Sequence, residues 1–203
     1  MNCIEKSEIY SILFVLDNSG SMKVFGDERN QSLNNFIQVQ KDNNLKFNFT
    51  LTLFSDDVDI IYKNLNSDEI PEIKPDDFKP SGMTSLFDAI GETIAFQEKQ
   101  NNDKVIFVIL TDGLENSSQK YTSKMIRNLI SDKKIISKWK FIFLGANQDS
   151  FASGSTIGIP KNNCCNFEYS ACGFKKVMKN ISSTVSDTIS GRSNDFYITD
   201  KDL

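Results

Sequence analysis

Asp17, Ser19 and Ser21 occupy alternate positions in the run DNSGS, directly after the apolar stretch from Ile9 to Leu16. Thr84 closes a second polar run, SGMT, and Asp112 sits in a third, TDG. Each of these five side chains offers oxygen, and none offers nitrogen or sulfur. A hard cation wants that set: Mg²⁺ takes about six oxygens in near-octahedral geometry and keeps some of its water. Alternate residues of an extended chain face the same side. Asp17, Ser19 and Ser21 therefore converge on one point while Asn18 and Gly20 turn away. Gly20, Gly82 and Gly113 are read as the residues that let the backbone curl around an ion. Hydroxyls add no charge, so such a site should attract one more carboxylate from outside. Simpler roles exist for each residue taken singly. Ser19 or Ser21 would cap the following helix, Thr84 would be the N-cap of the helix after it, and Asp112 would form a turn before Gly113.

Other groups fall near the five. Asp88, one turn into the helix after Thr84, is expected either to support the Thr84 loop or to favour the positive helix end. Glu115 and Asn116, with Ser117, are expected to rim the site beside Asp112. Asn147 and Asp149 follow a strand that should end near the same edge, and Asp149 also reads as a helix cap.

The rest of the composition narrows the chemistry. The chain has 203 residues and no histidine. Ser-His-Asp and Cys-His mechanisms and histidine-based zinc sites are thereby removed. A Mg²⁺-dependent phosphohydrolase-like enzyme is the alternative reading. It lacks the aspartyl-phosphate pattern, because the residue two places after Asp17 is Ser19, and no Lys/Arg phosphate clamp accompanies the motifs. A third reading is a structural domain whose site stays empty. The formal net charge of -4 and the absence of a basic stripe argue against nucleic-acid binding.

Cys3, Cys164, Cys165 and Cys172 form no zinc spacing and are expected as free thiols, with one of the adjacent pair buried. The N-terminus lacks a basic n-region, since Glu5 and Glu8 interrupt it, and no stretch approaches the roughly 20 apolar residues of a membrane span. These features lead to the expectation of a cytoplasmic protein without membrane insertion.

The elements that must position the polar runs follow from periodicity. Ile9 to Leu16, Lys104 to Leu110 and Trp139 to Leu144 are short apolar runs that read as buried strands. Lys46 to Phe54 alternates Phe47, Phe49, Leu51 and Leu53 with Asn48, Thr50 and Thr52. A turn at Asp56-Asp57 leads to a strand over Val58 to Leu65, so one edge strand should run antiparallel. Asn166 to Tyr169 reads as a last short strand. Helical spacing appears over Glu28 to Gln40, Thr84 to Gln100, Tyr121 to Lys134 (with Met125, Ile126, Leu129 and Ile130 on one face), Asp149 to Gly158 and Phe174 to Ile189. Asn66 to Gly82 reads as an irregular surface loop. The expected fold is a three-layer, Rossmann-like α/β sandwich. Its mostly parallel sheet has about six strands and one antiparallel edge strand, with helices on both faces. One domain over 1–203 is expected, with its core over about 9–190 and a loosely docked tail after Gly191. In such a sheet ligands bind at the carboxyl ends of the strands, where all three polar runs should lie.

DNSGSM, followed by SGMTSLFDAI and LTDGLENSS, closely resembles the von Willebrand factor type A domain with its metal-ion-dependent adhesion site. The family's Asp-x-Ser-x-Ser motif matches Asp17, Ser19 and Ser21, its threonine matches Thr84, and its Thr-Asp-Gly aspartate matches Asp112, with no departure. The resemblance covers about Ile9 to Ile189. It implies that the two serines and the threonine touch the metal directly and that the aspartates often act through water. It also implies that the sixth position is left to an acidic residue of a partner protein. The implied function is a protein-binding module, not an enzyme, in which Mg²⁺ (with Mn²⁺ or Ca²⁺ as alternatives) bridges to an Asp or Glu of the partner. The loops over Asn66 to Pro80 and Glu115 to Tyr121 would shape partner choice.

Overall fold

A computed structural model describes residues 9–100, 102–146, 149–193 and 196–198. In chain order the elements are β1 (Tyr10–Asp17), α1 (Glu28–Asp42), β2 (Phe47–Phe54), β3 (Val58–Asn66), α2 (Leu86–Glu98), β4 (Val105–Thr111), α3 (Ser123–Ile136), β5 (Lys140–Ala146), α4 (Ser150–Thr156), β6 (Cys164–Phe167) and α5 (Ala171–Ile189). The six strands form one sheet in the order β3-β2-β1-β4-β5-β6. Every neighbouring pair is parallel except β2 and β3, the expected antiparallel edge.

The sheet separates two cores. Ile12, Phe14 and Leu16 of β1 point to the side covered by α1 and α5, where Leu33, Phe36, Val177 and Ile181 meet them. Leu13 and Val15 point to the other side, against Ile90 and Ile94 of α2 and Ile126 and Ile130 of α3. This period of two, apolar on both faces, is what makes β1 and β4 central strands. Phenylalanines fill much of the first core, with Phe14 edge-on to Phe36 at 5.0 Å between ring centres.

Several details differ from the expectation. Thr50 and Thr52 of β2 are fully buried, because helix α2 covers the face that the alternation made look polar. Their hydroxyls are satisfied there: Thr52 pairs with Thr93 of α2 at 2.8 Å, and Thr50 accepts from Asn64 N. The stretch after β3 is packed and not an open loop. It holds a 3₁₀ turn at Pro75–Asp77 and buries Ile70, Ile73 and Phe78. Asn34 of α1 clamps it by donating to Ile73 O (2.8 Å) and accepting from Ile73 N (2.9 Å). Cys164 and Cys165 are both buried, one in each core, since a strand covered on both sides leaves neither face open. Met125 is half exposed, off the buried stripe of Ile126 and Ile130. Beyond α5, Phe196 and Ile198 are buried, and Ile198 N donates to Asn162 O, so this part of the tail is docked.

The order of connections reverses between β1 and β4. From β1 the chain moves outward through β2 to β3, then returns to β4 on the other side. Loops leaving two such strands part in opposite directions and open a crevice at their carboxyl ends. Asp17 ends β1, and Asp112 directly follows β4.

Candidate functional site

Asp17 is 0% exposed. Its Oδ1 accepts from Ser19 N at 2.7 Å, which folds the chain into a tight polar turn, and its Oδ2 accepts from Thr111 Oγ1 at 2.6 Å. The turn presents Ser19 Oγ and Ser21 Oγ 3.1 Å apart, and Ser21 Oγ donates across the crevice to Asp112 Oδ1 at 2.8 Å. The Thr84 hydroxyl faces Gly113, where a Cβ would stand 3.2 Å from it. Hydrogen bonds thus link Asp17, Ser19, Ser21 and Asp112, and the Thr84 hydroxyl stands beside Gly113. Ser19 and Thr84 do not take the capping roles. Ser19 precedes a 3₁₀ turn (Gly20–Phe25) but makes no side-chain capping bond, and the N-cap position of α2 is Ser85.

Glu115, Asn116 and Asp88 hold the frame around the five. Asn116 Oδ1 accepts from Thr84 N at 2.8 Å, and Asn116 N donates to Thr84 O at 3.1 Å, a two-point grip on the threonine. Glu115 Oε2 accepts from Phe87 N and Ser118 Oγ, while Oε1 accepts from Ser117 N and Ser118 N. It therefore serves an otherwise unpaired N–H of the first turn of α2. Asp88 accepts from three successive backbone N–H groups, those of Gln119, Lys120 and Tyr121. It staples the segment after Asp112 to α2. Asp149 caps α4 through Phe151 N and Ala152 N. Asn147 lies outside the described residues.

Sequence reading missed Thr111, Tyr169 and Asp56. Thr111 orients Asp17, and its place in the Thr-Asp-Gly run was the available signal. Tyr169, far along the chain after β6, donates its hydroxyl to Ser21 O at 2.8 Å and stacks edge-on against Phe25. No local pattern announces it. Asp56, read as a turn former, accepts from Met83 N at 3.1 Å. Gly82 has φ +75°, which favours glycine, and a Cβ there would displace the Asp56 carboxylate that holds Met83 N. At Gly20 and Gly113 φ is not positive, so their backbone needs no glycine.

The electrostatics are unfavourable without a cation. Burial pushes the Asp17 carboxyl from 3.8 up to about 6, against the pull of the Thr111 and Ser19 hydrogen bonds, and the neighbouring Asp112 adds to the push. Burial also raises Asp112, opposed by hydrogen bonding from Ser21 and by the nearby Tyr169 hydroxyl. That hydroxyl faces both Asp112 and the Ser21 carbonyl, and its proton goes to the carbonyl. Asp112 Oδ2 is left buried with no hydrogen-bond partner. The ion pairs Lys46–Asp68, Lys120–Glu92, Lys133–Glu98 and Arg192–Asp187 involve neither site aspartate.

Among the described residues no three Asp, Glu, Cys or His side chains cluster as metal ligands. The present set has two carboxylates and three hydroxyls. Two desolvated carboxylates and one orphaned oxygen fit a hard cation. They do not fit an aspartyl nucleophile, because both Asp17 oxygens already accept hydrogen bonds and none of its surface is exposed.

Comparison with known proteins agrees with this architecture. The von Willebrand factor type A domain family matches residues 11–180. No curated protein sequence matches. Among solved structures, proximal thread matrix protein 1 from the mussel byssus is similar at 17% identity and a TM-score of 0.63, over 87% of this chain and 46% of that one. The PilB minor pilin from Streptococcus sanguinis (12%, TM-score 0.64) is covered to 65% of its length by 96% of this chain. The pilus adhesin SpaC from Lactobacillus rhamnosus GG (13%, TM-score 0.70) is covered to 31% by 91%. The chain thus spans less than two thirds of each of these structures, and at these identities the likeness is one of fold. The expectation of a cytoplasmic protein is corrected by these structures, which are extracellular or cell-surface proteins. Glu5 and Glu8 near the N-terminus and the spacing of the cysteines do not report a compartment. Among the described residues no helix is long and apolar enough to cross a membrane.

Proposed function

Because the chain belongs to the von Willebrand factor type A domain family, we propose that it is a metal-dependent protein-binding module. Domains of this family commonly serve as protein-interaction or adhesion modules. Asp17, Ser19, Ser21, Thr84 and Asp112 would hold Mg²⁺, with Mn²⁺ or Ca²⁺ as alternatives. Bound there, the ion would supply a coordination position for an Asp or Glu of a partner protein. The observation that carries this reading is Asp112 Oδ2, buried and without a partner, beside the fully buried Asp17.

Each residue has a definable task. Thr111 Oγ1 and Ser19 N fix the Asp17 carboxylate, so its position does not depend on an ion. Asn116 fixes Thr84 through its backbone and leaves the hydroxyl to face the crevice. Tyr169 restrains the Ser21 carbonyl and with it the turn that presents both serines. A site held this way loses little freedom on binding, which favours affinity.

Titration with MgCl₂ and MnCl₂, followed by calorimetry and by thermal unfolding, tests the proposal. One site is expected in the wild-type chain and none in Thr84→Ala, whose melting in EDTA should stay within a few degrees of wild type. No heat and no stabilisation at millimolar metal would sink it and favour a purely structural domain.

A further inference from the structure

Among the described residues, the two most exposed large apolar side chains are neighbours: Ile135 (75%) and Ile136 (79%), the last two residues of α3. Helical periodicity explains why they stand out. The buried stripe of α3 runs through Ile126 and Ile130, and its next positions hold Lys133 and Ser137. The Lys133 ammonium lies 5.3 Å over the Trp139 ring and pairs with Glu98 of α2 at 2.6 Å. A lysine stem thus closes the core face of the helix, and both isoleucines are left outside it. Single apolar residues on a surface are ordinary; the surroundings set this pair apart.

Helix α3 ends where strands begin. Lys140 opens β5, four residues after Ile136, and pairs in register with Ile106 of β4, two residues after Lys104. Lys99 follows directly on α2, whose last residue is Glu98. Lys99, Lys104, Lys133, Lys134, Lys138 and Lys140 therefore gather at the amino ends of β4 and β5, against Glu98, Asp103 and Asp132. Glu98 is already paired with Lys133. In a chain of net charge -4 this end is basic, while Asp17, Asp56, Asp57 and Asp112 lie at the opposite, carboxyl ends of the strands.

The kind of charge and the degree of exposure select the occupant. All six cations are lysines, compact point charges without the fork by which arginine grips one carboxylate or phosphate. Such a set suits a diffuse negative surface. At three-quarters exposure or more, the isoleucines touch little of their own chain and line no hollow. A protein partner would have to supply the pocket for them, whereas the headgroup–acyl boundary of a bilayer takes an apolar tip without one. Lysines beside the tip stay in the headgroup layer, where each adds attraction to anionic lipid. Tyr197 is half exposed, and its neighbour Phe196 lies under the Lys140 ammonium at 5.0 Å. It adds at this end an aromatic of the kind enriched at membrane–water boundaries.

We propose that the carboxyl end of α3 is a docking tip for an anionic phospholipid surface, with Ile135 and Ile136 entering the acyl boundary and Lys134 and Lys138 among the headgroups. The chain lies on such a surface and does not cross it. Docked this way, the acidic crevice sits at the far end of β4, about 20 Å away at about 3.3 Å per residue, and faces outward. The proposal does not depend on a metal at that crevice.

Vesicle flotation in EDTA tests it, with phosphatidylcholine alone or with about 30% phosphatidylserine. Binding to the mixed vesicles should exceed binding to the neutral ones at least about tenfold and should fall as NaCl is raised. Ile135→Ser with Ile136→Ser should lower it at least about tenfold. Lys134→Gln with Lys138→Gln should lower it by a similar factor and flatten its salt dependence. Both variants should melt as wild type does, since the replaced side chains are exposed. Trp139, the chain's one tryptophan, lies three residues from Ile136, so brominated acyl chains should quench its emission on docking. No preference for phosphatidylserine, or undiminished binding by the isoleucine double variant, would overturn the proposal. Binding that appears only with Mg²⁺ and is lost in Thr84→Ala would place the contact at the opposite end and overturn it too. Self-association or capture of an acidic protein that requires Ile135 and Ile136, without vesicle binding, would assign the tip to another occupant and likewise refute it.

Discussion

Replacing Asp17 by asparagine removes a charge that the fold keeps out of water. The side chain retains its shape, and its oxygen still accepts from Ser19 N. The amide NH₂ then faces Thr111 Oγ1, which reverses its role. Its own proton has a second acceptor in Gly113 O at 3.1 Å, so the Thr111 hydroxyl stays paired. What changes is the cost of ionisation. In the folded state the carboxyl titrates at about 6 and in the unfolded chain near its ordinary 3.8. At about 1.4 kcal/mol per pH unit, a charged Asp17 costs the metal-free protein of order 3 kcal/mol at neutral pH. A raised acid makes the folded state bind the extra proton. The stabilising effect of that proton is fully present below pH 3.8 and is lost as pH rises through about 6.

Asp17→Asn should therefore be more stable than wild type by about 1–3 kcal/mol in EDTA near pH 7, and the gap should shrink toward zero near pH 4. Urea unfolding at several pH values reads both quantities, and the difference between the two proteins cancels the titration of other groups. In excess Mg²⁺ wild type should gain stability and the variant should not, which narrows or reverses the order. A variant less stable than wild type in EDTA at neutral pH, or a gap independent of pH, would refute the reasoning about Asp17.

Tyr169→Phe keeps the ring against Phe25 but removes the donor to Ser21 O; stability should fall by only about 0.5–1 kcal/mol, with a measurably weaker Mg²⁺ isotherm. Gly82→Ala forces a Cβ into the Asp56 carboxylate at a positive φ; a loss of about 2 kcal/mol or more is expected in thermal or urea unfolding. Asp88→Asn retains too few acceptor positions for three backbone N–H groups; it should cost about 1.5–3 kcal/mol, and hydrogen exchange at Gln119, Lys120 and Tyr121 should accelerate. Asn116→Ala should weaken Mg²⁺ binding without touching any of the five oxygens, since only the side-chain half of the grip on Thr84 is lost.

The alternation of short apolar runs with amphipathic stretches determined the α/β class, and the turn at Asp56-Asp57 determined the antiparallel edge. Both rest on short-range periodicity, which the sequence carries openly. The spacing of Asp17, Ser19 and Ser21 likewise exposed a shared face, because residues two apart in extended chain point the same way. Other features needed the assembled molecule. The threonines of β2 are buried because α2 lies over them, and alternation by itself cannot say how many faces of a strand are covered. The compartment was misjudged from local features that do not encode it. Glu115 and Asn116 follow Asp112 by three and four residues, but what their side chains bond to, Phe87 N of α2 and Thr84 N, lies about 30 residues away and could not be read locally. Tyr169 reaches Ser21 across 148 positions. The residue types at the site are a property of the sequence. Which groups hold those residues in place was decided by tertiary packing, because hydrogen bonds form between neighbours in space and the sheet alone brought these strand ends together.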